Sequence, residues 1–286
     1  MKKRFQVTKS DGKSTPFDED KLTASLTRVG ASPEIAGNIL AELRHHVYEG
    51  IPTGKLYSIA YKMLRYYSRP TAARYKLKQA LFELGPSGFP FEKYVAELFK
   101  REGYHTLVNQ VLEGNCVKHE IDIAGERNGE QLFVECKYHS RQGNFCDVKV
   151  PLYIKARYDD LVAHLKMPGQ GKLFNGSVCL VTNTRFSEDA LQYGLCAGIT
   201  LISWDFPQGM GLKDRVDAGG LYPVTCLSSL SKPARIWLLD KGVVLCETLL
   251  QHPEYLEFPG MTPGRIALVM EELQALCVKA GEKELV

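Results

Sequence analysis

Two carboxylates and a lysine bracket a tight turn: Asp122 precedes Asn128-Gly129, and Glu135-Cys136-Lys137 follows it. Asn-Gly between two alternating runs signals a two-residue type I′ hairpin, because both central residues accept positive φ at little cost. With that loop, partners across the hairpin have numbers summing to 257, as Asn128 and Gly129 do, so Asp122 faces Glu135 and Glu120 faces Lys137. Side chains alternate along a strand, which puts these four on one face. Ile121, Ile123, Leu132, Val134 and Cys136 take the other face, and Phe133 breaks the alternation. Opposed carboxylates about 5 Å apart at Cβ repel each other. A divalent cation between them removes that cost, and Lys137 beside it can meet a charged nucleophile or a phosphate. The residues alone leave two readings open: a metal site, or a solvated hairpin face with a Glu120–Lys137 ion pair. Glu-x-Lys by itself decides nothing, since it recurs at Glu19-Asp20-Lys21 in a predicted helix.

The elements around the hairpin are legible from periodicity. Phe91, Tyr94, Val95, Leu98 and Phe99 form one face of a helix that ends near Gly103 and carries Glu92 beside that face. After the hairpin, a helix is predicted over 153–165, a buried strand over 178–181, a helix from the cap Ser187 to about Ala197, and a strand over 199–202. Strand, helix, strand in that order implies a parallel pair in an α/β layer. Lys149, Lys155 and Arg157 are available to phosphates or to solvent. His139 reads as a surface histidine or, placed just past the lysine, a substrate contact, and the adjacent His45-His46 pair points two ways on a helix, a poor metal site.

Before this segment, Phe5 and Val7 lead into the turn residues Ser10-Asp11-Gly12, and Asp18 is placed as a helix cap. Leu22, Leu26 and Val29, then Ile35, Ile39, Leu40 and Leu43, then Leu56, Ile59, Ala60, Met63 and Leu64 recur at helical spacing. The cluster Gly85-Pro86-Ser87-Gly88-Phe89-Pro90 marks a boundary. Beyond about residue 220 the chain reads as helical, with similar helix entries at Ser231-Lys232-Pro233-Ala234-Arg235-Ile236 and Thr262-Pro263-Gly264-Arg265-Ile266.

The 286 residues are 44% hydrophobic and 24% charged, ordinary for a globular protein and an argument against disorder. A net charge of +3 permits nucleic-acid binding without requiring it. None of the eight cysteines forms a Cys-x-x-Cys pair, which removes zinc ribbons and thioredoxin-like chemistry. With no signal peptide after Met1-Lys2-Lys3-Arg4 and no membrane-length apolar run, a cytoplasmic protein with reduced thiols is expected.

Phe91-Glu92, the opposed Asp122, and Phe133-Val134-Glu135-Cys136-Lys137, followed by Val181-Thr182-Asn183-Thr184-Arg185-Phe186 and Ile199-Thr200-Leu201-Ile202, resemble the Mrr-type branch of the PD-(D/E)xK nucleases over about 115 residues. The resemblance implies a restriction-endonuclease-like α/β sandwich with a mixed sheet. It implies Mg²⁺ held by Asp122, Glu135 and the Cys136 carbonyl, with Lys137 on the attacking water and Glu92 assisting. Ile121 stands where the motif has proline, and Glu120 is an additional acid.

Val7-Thr8-Lys9-Ser10-Asp11-Gly12 and Phe17-Asp18-Glu19-Asp20-Lys21-Leu22, with Glu49-Gly50-Ile51-Pro52-Thr53 and the run 75–84, resemble the ATP-cone, a regulatory module of many ribonucleotide reductases. The resemblance implies a mostly helical domain binding ATP or dATP as an allosteric ligand. Lys9 and Lys21 would meet phosphate, Asp18 and Thr53 base or ribose, and Val7 and Phe82 the adenine, with Ser10 where the family has a basic residue. The chain is too short for a reductase, and zinc-ribbon repressors are excluded by the cysteine spacing. Leu256-Glu257-Phe258-Pro259-Gly260-Met261-Thr262-Pro263 resembles a helix-hairpin-helix entry suited to DNA phosphates.

Together these readings predict an ATP-cone over 1–86, a nuclease domain over 87–206 and a helical DNA-binding domain over 207–286. The expected function is Mg²⁺-dependent DNA hydrolysis by a homodimer or higher homo-oligomer, regulated by adenine nucleotide. The alternative is a non-catalytic, nucleotide-responsive DNA-binding protein that retains the nuclease fold.

Overall fold

Short apolar repeats organise the first stretch of the chain. The computed structural model describes residues 5–9, 12–167 and 175–281, so Ser10 and Asp11 of the first turn lie outside the described residues. Strand β1 (Gln6–Thr8) pairs antiparallel with β2 (Ser14–Pro16) and parallel with β3 (Ile51–Pro52). Helix α1 (Glu19–Arg28) starts where Asp18 accepts the Lys21 N–H at 2.9 Å, and Ser32 caps α2 (Pro33–His46) in the same way. Helices α3 (Thr53–Tyr67) and α4 (Arg69–Tyr75) follow, the second capped by Ser68. The helical spacing read from sequence is the spacing that is buried: Leu26, Ile39, Leu43, Leu56, Ala60 and Leu64 form one core with Val7 and Ile51. Each such leucine contributes about 2–5 kcal/mol by the cost of its truncation to alanine.

Contacts divide the chain into two units, Met1–Ala80 with Tyr222–Val286, and Leu81–Leu221; the first division falls inside α5 (Leu77–Phe82). The second unit contains α6 (Phe89–Arg101), β4 (His105–Glu113), β5 (Lys118–Arg127), β6 (Glu130–Lys137), α7 (Lys149–Leu165), β7 (Gly176–Thr182), α8 (Glu188–Cys196), β8 (Thr200–Ile202) and α9 (Leu212–Gly219). Its sheet runs β4-β5-β6-β7-β8, an antiparallel meander continued by parallel strands. This is a mixed five-stranded sheet with helices, as the strand–helix–strand pattern predicts. Val178, Cys179, Leu180 and Val181 are all buried, as befits a strand covered on both faces.

The hairpin turn is as predicted: Asn128 and Gly129 take φ of 54° and 82°. The register also holds, pairing Arg127 with Glu130 and, at the far end, Ile123 with Val134. There the ladder stops, one pair short of Asp122 and Glu135. On its other side β5 pairs Ile123 with Val108 and Ile121 with Gln110, skipping Asp122 and Asn109, and Asn109 has φ 54°. The chain therefore twists at this point, and the predicted alternation fails beyond it. Ile121, assigned from sequence to the face opposite Asp122, packs instead with Phe133 and Leu161 of α7. Phe133, the residue out of pattern, is the one that anchors α7. Among the described residues no ion pair joins Glu120 to Lys137.

The remainder of the first unit comprises α10 (Lys232–Asp240), α11 (Cys246–Gln251) and α12 (Pro263–Gly281). Ser231 caps α10, and Thr262 accepts the Arg265 N–H at the entry to α12, as the repeated helix entries predict. Among the described residues no helix is long and apolar enough to cross a membrane.

Candidate active site

Asp122 stands where the sheet opens. Its Oδ2 accepts the Cys136 N–H at 2.7 Å, a donor that a regular β5–β6 ladder would have used. The side chain thus substitutes for the missing backbone pair and is fixed by β6 itself. Glu135 follows on β6, and its Oε2 receives Arg157 Nη1 of α7 at 2.7 Å. The other arm of Arg157 donates to the Glu120 carbonyl. Arg157 and Glu135 are 13% and 25% exposed, so this pair is largely shielded from solvent.

Helix α6 brings Glu92 to the same place. Its carboxyl is pushed up to about 7 by burial, and then by the charges of Asp122 and Glu120. Glu135 is also pushed up to about 7, by burial and then by Asp122, with Arg157 opposing. Asp122 is raised by burial, while the Cys136 N–H and the Arg157 and Lys137 charges pull it back. Three carboxyls in mutual electrostatic range titrate as a set, so the cluster carries fewer than three negative charges near neutrality. Gly88, at the N-terminal end of α6, leaves room for this: a Cβ there would lie 3.1 Å from Glu92 Oε1.

Lys137 closes β6 with an exposed side chain, and its carbonyl accepts Thr182 Oγ1 at 2.7 Å. The strand end is then clamped. Asn183, fully buried, accepts the His139 N–H at 2.9 Å and donates to the His139 carbonyl at 2.8 Å. Its amide thereby stands in for one more residue of parallel strand. His139 is half-buried, with Nε2 3.7 Å from Cys146 Sγ, so it is not the surface histidine read from sequence. Burial, then Lys137, lowers its pKa. The Tyr138 hydroxyl donates to the Phe82 carbonyl at 2.7 Å.

The structure thus gathers Glu92, Asp122 and Glu135 in one electrostatic cluster, with Lys137 near enough to act on Asp122. Sequence reasoning left Arg157 as a residue for phosphate or solvent; its partner is Glu135. The signal was available in the spacing of Ile154, Tyr158 and Leu161, which marks the sheet-facing side of α7 and puts Arg157 at its border. Among the described residues no three His, Cys, Asp or Glu side chains converge closely enough to hold a metal unaided. A cation here would use two carboxylates and a backbone oxygen.

The residues assigned to a nucleotide are dispersed in role. Val7 is a core residue, 5% exposed. Asp18 caps α1, Thr53 opens α3, and Lys9 and Lys21 are exposed. These lie in the first unit, whereas Phe82 belongs to the second.

Residues 222–277 match the family described as AF1548-like, C-terminal. An uncharacterised protein of Archaeoglobus fulgidus is 34% identical over 161 residues, which is 56% of this chain and 86% of the relative. The chain belongs to the AF1548-like family. The crystal structure of AF1548, a protein of unknown function, aligns with a TM-score of 0.55 at 31% identity, covering 68% of this chain and 100% of that one. Family membership therefore carries the fold but no reaction. The MspJI restriction endonuclease, solved in complex with a 27-mer oligonucleotide, aligns with a TM-score of only 0.31 at 14% identity, over 70% of this chain and 39% of that one, too loosely to carry an argument.

Proposed function

We propose that this member of the AF1548-like family is a Mg²⁺-dependent nuclease that hydrolyses phosphodiester bonds in DNA. The observation that carries the reading is the interrupted β5–β6 ladder, which presents Asp122 and Glu135 together with Lys137 following and Glu92 approaching from α6. The donor set fits the ion. Carboxylate oxygens and the Cys136 carbonyl are hard ligands of the kind Mg²⁺ prefers. Burial foremost, and then the repulsion of neighbouring acids, raises the Glu92 and Glu135 carboxyls, and a cation among them would offset both. When bound, Mg²⁺ supplies Lewis-acid polarisation and a lowered water pKa.

The chain's own residues perform the remaining work. Lys137 presents its ammonium to the phosphate, orienting the water and stabilising the negative charge that develops on the phosphoryl oxygens. Arg157 offsets the charge of Glu135 and fixes its rotamer. Asp122 is held by the Cys136 N–H, and Glu92 acts as the auxiliary acid of the set. Cutting both strands of a duplex calls for two such sites, hence a homodimer. The ATP-cone resemblance supports regulation by ATP or dATP bound through Lys9, Lys21, Asp18 and Thr53. The helix-hairpin-helix-like entry at Thr262-Pro263 supports a DNA-binding role for the C-terminal helices.

One observation favours a second reading. Arg157 already supplies a cation to Glu135, as in a nuclease fold kept for binding alone. Incubating plasmid and linear DNA with Mg²⁺, with and without ATP or dATP, separates the two. The nuclease reading expects cleavage that Asp122→Ala abolishes and Lys137→Ala slows by about 10²–10³-fold, the usual cost of one charge-stabilising donor. Cleavage that survives both substitutions defeats the site assignment, and DNA binding without cleavage under any condition establishes the binder.

A further inference from the structure

Between Glu49 and Glu83 the chain contains no Asp or Glu across 33 residues, yet carries seven Lys or Arg. With 33 acids in 286 residues overall, a stretch of that length would ordinarily hold about four, so the depletion is local and large. Four of the seven lie on one side of α3 and α4, whereas Lys76 is buried, its ammonium donating to the Thr225 carbonyl at 2.7 Å. On α3, Lys55, Lys62 and Arg65 are exposed and separated by one to two turns, so they share a stripe that Arg69 extends at the start of α4. Among the described residues none of these four is in an ion pair. The stripe from Lys55 to Tyr66 spans roughly 16 Å of helix.

Tyr66 lies one turn beyond Lys62 on the same stripe, and Tyr67 stands beside it at the C-terminal end of α3. Tyr66 is 87% exposed and Tyr67 43% exposed, packed edge-on to each other at 5.5 Å. At the other end Lys55 lies over the Tyr48 ring, which is itself 48% exposed. An ordinary solvated helix face would account for the cations. It does not account for the absence of a carboxylate partner at these four cations while Tyr66 stands 87% exposed among them. Cations at helical spacing interleaved with open tyrosine faces match the chemistry of a single-stranded nucleic acid, whose phosphates track the charges while unpaired bases stack on the rings.

We propose that the exposed α3–α4 stripe is a docking surface for single-stranded nucleic acid, separate from the carboxylate cluster. It stands whether or not that cluster cleaves DNA. The test uses the full chain in EDTA, so that no cleavage intervenes, with fluorescence anisotropy of a labelled oligothymidylate and of a duplex of equal length. Lys62→Glu with Arg65→Glu is expected to weaken single-strand binding at least 10-fold and to flatten its salt dependence. Tyr66→Ala with Tyr67→Ala is expected to weaken it between about 5- and 100-fold while leaving the salt slope unchanged. Because all four side chains are exposed, circular dichroism should show the fold intact; Lys62→Gln with Arg65→Gln serves as a milder pair. Single-strand affinity within 2-fold of wild type in both the charge and tyrosine variants overturns the proposal. So does equal affinity for duplex with no effect of the tyrosines, which would mark a phosphate-only surface.

Discussion

Replacing Arg157 by alanine tests the electrostatic account of the carboxylate cluster most directly. The guanidinium is paired with Glu135 at 2.7 Å, with the two side chains 13% and 25% exposed. Exposed ion pairs contribute about 0.2–1 kcal/mol, whereas removing one member of a fully buried pair costs about 3–5 kcal/mol. The intermediate shielding here predicts a loss of about 2 kcal/mol, which in a domain of this size lowers Tm by about 4–8 °C. The loss arises from Glu135, left among Asp122 and Glu92 with no counter-charge. A double-mutant cycle with Glu135→Gln should therefore return a coupling of about 1–2 kcal/mol, since the neutral amide no longer needs the guanidinium. Added Mg²⁺ should narrow the gap between Arg157→Ala and wild type, because a cation at the carboxylates replaces the missing charge. Calorimetric unfolding of the four cycle members, with and without Mg²⁺, reads all of this. An Arg157→Ala protein within about 0.5 kcal/mol of wild type, or additive effects in the cycle, refutes the reasoning.

Two further outcomes test the frame around the site. Asp160 accepts hydrogen bonds from His119 and from the backbone of Cys116 and Val117, and these, His119 foremost, hold its carboxyl down to about 2. Its folded pKa thus lies below the unfolded value near 3.8, so its contribution is complete above about pH 4 and disappears as the pH falls towards 2. Wild type and Asp160→Asn should differ in Tm at pH 6 and converge by pH 2; a gap that stays constant over that range contradicts the assignment. Asn183→Ala removes the clamp on His139 and leaves that half-buried residue's N–H and carbonyl without the amide. Denaturant unfolding should show a loss of about 2–4 kcal/mol, and a loss under about 1 kcal/mol would mean that the clamp is dispensable.

The turn at Asn128-Gly129 and the register of Ile123 against Val134 were readable because both are local consequences of backbone geometry. The faces of α6 and of the early helices were readable for the same reason: periodicity reports burial. The sequence pattern misled at Ile121, because alternation assumes an unbroken ladder and Asp122 breaks it by capturing the Cys136 N–H. Nothing in a period-two pattern encodes that a side chain outcompetes a carbonyl. Arg157 and Asn183 escaped for a different reason. Their partners lie 22 and 44 residues away, brought together only when α7 and β7 pack on the hairpin.

The skipped pair at Asn109 and Asp122 has a consequence for anyone redesigning this protein. Stabilising programmes favour β-branched residues in strands and remove left-handed backbone wherever it occurs. Applied to Asn109, whose φ is 54°, that advice would straighten the neighbouring strand and encourage continuous pairing across position 122. A β5–β6 ladder extended by one step would return the Cys136 N–H to the backbone and release the aspartate from that donor. The more ideal sheet would melt later and would have lost the opening in which its acids meet.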